Sequence, residues 1–372
     1  MVSFELLQIG LLGDQSWLSL LIFWVPFIIL ILYGQRIQMW TALSQISRDL
    51  NKLKLMREKS RKEAIDFVVN FNKTQENVTE KIDQFLDYFT LLPVDLDPAG
   101  IIKKIEHIMN VRDDRVRAEI KRLIPSASDI QASNVENILE VATSLNLVYK
   151  VVRHYYLLGK KTMSLYYVVQ LQMALPIILQ EAEALMGAID SFKLSQPIGD
   201  GIGAMVVGKM MADKEKKVIA KDTVMSEIEY KGRNLYLIKA EGPGGNVGQP
   251  GNAMIRLIEE MGTKVDAIIM IDAALKLEGE KTGEVAEGVG AIIGGIGVDR
   301  FKIEEVASKH NIPLYAIAVK QSIIEAISVM KKEIAETMDR VTGIINRIIE
   351  EKTKEGDRVA IVGVGNTVGI SQ

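Results

Sequence analysis

"VDAIIMIDAA", Val265–Ala274, decides how the C-terminal part of this 372-residue sequence folds. Its apolar residues run together instead of alternating, and the run is too short for a free-standing helix. Such a segment reads as a strand buried on both faces of a sheet, which demands helices above and below it. Working outward, "PLYAIAV" (Pro313–Val319) and "DRVAIVGVG" (Asp357–Gly365) have the same character. "TVMSEIEY" and "NLYLIKA" flank Lys231-Gly232-Arg233 and read as a hairpin. Between the strands lie "NAMIRLIEEMG", "FKIEEVASKHN" and one long helix from Ser322 to Gly356. The alternation predicts a three-layer α/β/α domain over residues 223–372.

Upstream the pattern changes. The charged segment 212–222 reads as a connector, and residues 63–211 read as a helical domain, with apolar residues at helical spacing in "IIKKIEHIM" and "VENILEVATSLNLVYKVV". Asp97-Pro98 suits the start of one helix and Asp113-Asp114 the start of another, with Ser126, Ser128 and Asp129 in a loop between helices. His107 and His154 fall on helix surfaces or in satisfied core positions. Residues 36–62 form a basic juxtamembrane helix on which Met39, Leu43, Ile46, Leu50 and Leu53 recur at alternating steps of four and three. That stripe either packs on its own domain or joins two protomers, giving a homodimer through 39–53. The basic residues over 48–62 either contact anionic lipid or form a solvated face.

The juxtamembrane reading rests on "SWLSLLIFWVPFIILILYG". No charged residue stands between Asp14 and Arg36, a gap that crosses a hydrocarbon layer of roughly 30 Å at about 1.5 Å per residue. Residues 17–35 are therefore expected to form a single transmembrane helix, with 1–16 extracytoplasmic. A signal peptide fits less well, because the basic residues follow the apolar run and no small-residue cleavage site closes it. A buried core helix is the remaining alternative. Residues 1–16 hold no lysine or arginine, whereas Arg36, Arg48, Lys52 and Lys54 follow the run. The positive-inside bias then places the N-terminus outside and the bulk of the chain on the cytoplasmic side of the cell membrane. A second apolar run, Tyr166–Gln180, is interrupted by Gln170, Gln172 and Pro176 and reads as a buried helix.

Composition narrows the chemistry. Hydrophobic residues make up 48% of the chain, enough for a large core, and a net charge of −3 gives no electrostatic case for nucleic acid. With no cysteine there is no disulfide, thiolate metal site or cysteine nucleophile, and the three histidines are too far apart in sequence to suggest a metal. No cofactor can be assigned.

Candidate site residues cluster at the strand ends, where open α/β sheets bind ligands. "NLYLIKA" runs into Glu241 and a loop holding Gly242, Gly244, Gly245, Asn246, Gly251 and Asn252. "DAIIMI" ends at Asp272, ahead of an acidic loop with Glu278, Glu280, Glu284 and Glu287. "RVAIV" ends in Gly363, Gly365, Asn366 and Thr367. In a parallel sheet these loops share one rim, where glycine amides attract anions and Asp272 supplies a carboxylate. "GVGNTVG" is only a partial dinucleotide fingerprint, and no Gly-Lys-Ser/Thr phosphate loop is present. The alternative is that the glycines serve tight turns and Asp272 accepts backbone hydrogen bonds.

"VDAIIMIDAALKL", "GVGAIIGGIGVDRFKIEE" and "NIPLYAIAVKQSIIEAI" together resemble a run in the spore germination protease family, and "VAIVGVGNT" resembles a loop of the hydrogenase maturation endopeptidases. The resemblance covers roughly 234–330. It implies a phosphorylase/hydrolase-like fold and places Asp272 at one acidic catalytic position. The second acid of that family belongs in a loop like "NVGQPGNAM", where this chain has Gly251 and Asn252. Glu241 or Asp299 would have to substitute. End to end, with "LLPVDLDPAGI" and "QPIGDGIG", the chain also resembles a family of archaeal membrane proteins known only as a domain of unknown function, which implies an archaeal source and a single span.

Two classes of function follow. One is a membrane-anchored peptidase or hydrolase using Asp272 with Glu241. The other, favoured because the second acid is missing, is a non-catalytic scaffold or sensor that binds a ligand or partner in a degenerate hydrolase-like domain. An acidic partner beside Asp272 would favour catalysis, and an intact glycine-lined pocket without one would favour binding.

Overall fold

The structure is a computed structural model that describes residues 17–71, 78–91, 93, 100–295 and 297–371. The expected extracytoplasmic segment 1–16 and the helix start at Asp97-Pro98 lie outside the described residues. The N-terminal half is helical: α1 (Trp17–Val69), α2 (Val78–Leu86), α3 (Ile101–Leu123), α4 (Asp129–Thr162) and α5 (Leu165–Leu194). Asp113 and Asp114 do not open a helix but lie inside α3, where residues on both sides keep helical spacing. His107 and His154 are exposed on helices.

By contacts the chain forms two compact units, Met1–Lys54 with Tyr149–Leu179, and Leu55–Val148 with Gln180–Gln372. In the first, Met39, Ile46, Leu50 and Leu53 are buried, as are Val152, Val168, Leu171 and Leu175. The heptad stripe is thus covered within one chain, with Leu43 half-buried. Among the described residues no single helix is long and apolar enough to cross a membrane. Ile22–Ile28 and Tyr33–Val69, bent against each other, meet the length and composition together.

The second unit holds the sheet. α6 (Ile202–Met210) leads into β1 (Lys217–Ala220), β2 (Thr223–Tyr230) and β3 (Arg233–Ala240). β1 therefore occupies part of the expected connector 212–222, and α6 belongs to the core of the sheet rather than to the helical domain. Lys231 and Gly232 both have positive φ, 47° and 70°, which gives the two-residue turn that suits a twisted β2–β3 hairpin. α7 (Pro250–Ile255), β4 (Ala267–Leu275), β5 (Val285–Val289), α8 (Val298–Lys309), β6 (Leu314–Gln321) and β7 (Arg358–Gly363) complete a mixed seven-stranded sheet of order β1-β2-β3-β7-β4-β6-β5. Its centre, β3-β7-β4-β6, is parallel, and the flanking strands pair antiparallel. The edge strand β5 falls in the stretch read as an acidic loop.

Val265–Ala274 behaves as a doubly buried strand should. Ile269 and Ile271 face one core with α6 residues Val206 and Val207, while Ile268 and Met270 face another with Met254 and Ile303. Helices cover both faces. The expected single helix after β6 is instead broken into α9 (Ile323–Ile327), α10 (Lys332–Ala335) and α11 (Thr337–Lys352). Ser322 opens α9 with a capping box to Glu325, and Ser328 leaves it in extended geometry. Val329 then bridges Ile198, and the Met330 N–H donates to the Pro197 carbonyl at 2.7 Å. These bonds stitch the segment before α6 to the break.

Candidate functional site

Because β3, β7 and β4 are parallel, their C-terminal ends share one edge, as the sequence requires of a strand-end site. Ile271 is the last β4 residue paired with β7, opposite Gly363, so Asp272 stands where β7 gives out. A cavity of about 440 Å³ opens at this point, lined by Asp272, Asp200, Val247, Gly294, Asp299 and Lys302 among others.

Asp272 is buried. Its Oδ1 accepts the Ala273 N–H at 2.7 Å and its Oδ2 the Gly294 N–H at 3.2 Å. Burial first, and Asp200 second, push its carboxyl up to about 8 against the pull of those two bonds. Asp200 is also raised by burial, opposed by the Asn366 N–H that donates to its Oδ2 at 2.9 Å. The two carboxyls thus form an electrostatically coupled pair in which Asp272 keeps its proton at neutral pH.

Asp200 was absent from the sequence-based candidates, although "QPIGDGIG" held a signal. An acid set between glycines just before a helix marks a place where backbone packs closely. A Cβ on Gly203 would meet the Ile271 carbonyl at 2.3 Å and the Val364 carbonyl at 2.5 Å. Only glycine lets α6 sit directly on the ends of β4 and β7, and this seating brings Asp200 beside Asp272. Gly365 completes the fit, with φ +123° and a Cβ position 2.0 Å from the Asp200 carbonyl.

The far wall is charged but paired. Lys302 Nζ meets Glu106 Oε1 and Asn252 Oδ1, each at 2.5 Å. Burial disfavours ionisation of Glu106, but the bonds from Lys302 and Asn252 outweigh it and hold its carboxyl below the usual range. Asp299 is raised by burial, opposed by the Gly251 N–H at 2.8 Å and by Lys302. Asp113 is likewise raised by burial, opposed by Arg112, Lys221 and Arg117. Among the described residues no group of three or more acidic, histidine or cysteine side chains is placed to hold a metal.

The glycine-rich loop after β3 divides into two parts. Val247 to Pro250 and Asn252 line the Asp272 cavity. Gly242 to Asn246 turn the other way and are tied to the chain end. Thr367 Oγ1 contacts the carbonyls of Glu241, Gly244 and Asn246 at 2.9, 2.7 and 3.1 Å, and the Asn366 amide faces Asn137 and Gly245. Asn366 and Thr367 therefore hold a loop in place, and Gly363 packs against α6. Gly251 sits at the start of α7 against Asp299. Gly365 remains on the cavity wall.

Glu241 does not join Asp272. It lines a separate cavity of about 350 Å³ with Arg117, Lys121, Glu136 and Asp222. There Arg117 grips Asp222 through both guanidinium ends, and Glu136 is pushed up to about 7 by burial, with Arg117 opposing. β3 ends too far along the sheet edge for the Glu241 side chain to share the Asp272 cavity, and the acid brought to Asp272 comes from the segment before α6.

Fold and cavity define a class: an α/β domain with an acidic pair at its strand ends, joined to a helical N-terminal region. The chain belongs to the DUF1512 family, whose N-terminal domain of unknown function matches residues 20–195 and whose C-terminal domain of unknown function matches residues 198–371. No curated protein and no solved structure matches the chain.

Proposed function

We propose that this protein is a membrane-anchored binding module that takes a small polar ligand into the cavity floored by Asp272 and Asp200. The carrying observation is that pair, set at the C-terminal edge of parallel strands. A carboxyl retained in its neutral form donates a hydrogen bond, so Asp272 would offer a proton to a ligand oxygen while Asp200 accepts. Binding is preferred over chemistry because both Asp272 oxygens already accept backbone N–H groups, which fixes them as a recognition surface.

Hydrolysis is the second reading, favoured by the acidic partner itself. One carboxyl would deprotonate water and the other protonate the scissile carbonyl, with Asp200 in the role first given to Glu241. The resemblance of residues 234–330 to the germination protease family supports that chemistry.

Anchoring is the other half of the reading. Residues 17–35 would cross the bilayer, supported by the uncharged run between Asp14 and Arg36 and by the exposure of every residue from Ile22 to Ile28. Everything after Arg36 would be cytoplasmic. Protease added outside intact cells should spare an epitope at the C-terminus, and its digestion would reverse the orientation. For the cavity, the full chain in detergent is screened by thermal shift against nucleotides, sugar phosphates, amino acids and short peptides. At least one should stabilise the protein and lose its effect in Gly294→Phe, whose side chain would enter open space at the cavity wall. Stabilisation that survives that substitution would place the ligand elsewhere.

A further inference from the structure

We propose that the α4–α5 turn, from Leu157 to Tyr167, is a second membrane contact that rests on anionic lipid headgroups beside the α1 span. This rests on the anchored reading of residues 17–35.

The level of the turn along α1 follows from register. α1 and α5 run in the same direction, since Gln172 meets Gln45 at 2.8 Å and, further along both helices, Lys193 meets Glu63. Gln45 lies nine residues past Arg36, about 14 Å along a helix, and Gln172 lies seven past Leu165, about 10 Å. The first turn of α5 therefore begins within about 4 Å of the level of Arg36, and the chain between α4 and α5 reaches toward the bilayer from there. Arg36 is the first charge after the apolar run, so it marks the headgroup zone.

The turn has the composition that this zone favours. Tyr166 is 69% exposed and Met163 52%, with Trp40 at 75% and Ile37 at 53% on the neighbouring helix. Lys160 and Lys161 are exposed beside them. Aromatic rings and long basic side chains, apolar along the stem and polar at the tip, partition to the interface. Charge selects the occupant. Residues 149–179 carry Lys150, Arg153, Lys160 and Lys161 and no aspartate or glutamate. A second copy would bring the same positive charge, whereas anionic lipid complements it.

The same register argues against the 48–62 stretch as the lipid site. It begins twelve residues past Arg36, about 18 Å along α1 and further from that charge than the start of α5. Arg57 and Arg61 are also engaged, with Asn146 and Asp83.

The chain has no cysteine, so one introduced thiol reports one place. Tyr33→Cys, Met163→Cys and Lys54→Cys are each labelled with an environment-sensitive fluorophore in the full chain. Each is reconstituted in vesicles of phosphatidylcholine with or without phosphatidylglycerol, carrying a spin-labelled quenching lipid. Quenching at Tyr33→Cys and Met163→Cys should exceed that at Lys54→Cys several-fold, most strongly with phosphatidylglycerol. Adding Lys160→Glu and Lys161→Glu should cut the Met163→Cys signal at least twofold and leave Tyr33→Cys unchanged. Strong quenching at Tyr33→Cys with none at Met163→Cys overturns the turn contact alone. Absence at both overturns the anchor as well. Quenching at Met163→Cys indifferent to the lysine changes and to phosphatidylglycerol overturns the anionic-headgroup assignment.

Discussion

Replacing Asp272 by Asn should change how the stability of this protein depends on pH. The Asn side chain has the shape of the neutral acid and keeps an oxygen for one of the Ala273 and Gly294 N–H groups. What it removes is ionisation. In the folded protein Asp272 holds its proton up to about 8, and in the unfolded chain only to about 3.8. Between those values the unfolded state binds fewer protons, so stability falls as pH rises through the window. Four units at about 1.4 kcal/mol each set a ceiling of about 6 kcal/mol, and the slope for one proton is about 1.4 kcal/mol per pH unit. From pH 5 to pH 7.5 the parent should therefore lose about 3 kcal/mol relative to Asp272→Asn. Urea unfolding of both full-length proteins in the same detergent at the two pH values measures that difference. Parallel pH dependences would mean that Asp272 ionises as an exposed acid does, and its retained proton would have to be abandoned.

Gly203→Ala puts a methyl group against two carbonyls and should cost about 1–3 kcal/mol by overpacking. It should also narrow the pH window just described from its upper end, because α6 would carry away Asp200, the second cause of the Asp272 shift after burial; destabilisation with that window unchanged would show that the seating of α6 does not position the pair. Lys239 is buried and pushed down to about 8, chiefly by burial with Lys216 adding and Glu241 opposing, against 10.5 unfolded. The unfolded state then binds more protons between those values, so stability rises with pH across them. Lys239→Met should be more stable than the parent at pH 7, by about 3 kcal/mol at most, with the gap closing by pH 10. A gap that does not vary with pH would mean that the lysine is solvated.

Much of the α/β domain was legible because its strands are buried on both faces and so appear as uninterrupted apolar runs. The hairpin was legible because Lys231-Gly232 can adopt positive φ. Less visible were β1 and β5, edge strands with few buried residues whose charged sequences look like linkers. The break after Ile327 was hidden because it depends on Ile198 and Pro197, distant in sequence. The site followed the same division. Asp272 stood out at the end of an apolar strand, and Gly365 proved to line its cavity. Asn366 and Thr367 have equally suggestive types yet spend their polar atoms on fixing a loop. Asp200 was overlooked because its role comes from α6 lying across the strand ends, a contact written in the spacing of Gly199, Gly201 and Gly203 rather than in any one residue.

The central claim is that one small ligand occupies the cavity above Asp272 and Asp200. Calorimetric titration near pH 8, where Asp272 is half-protonated before binding, tests it most directly with the most stabilising compound from the thermal screen, the full chain, Asp272→Asn and Gly294→Phe being compared in two buffers of different ionisation enthalpy. One site per chain is predicted, with proton exchange on binding that disappears in Asp272→Asn and heat that disappears altogether in Gly294→Phe. Undiminished binding in Gly294→Phe, or proton exchange unaltered in Asp272→Asn, would contradict it.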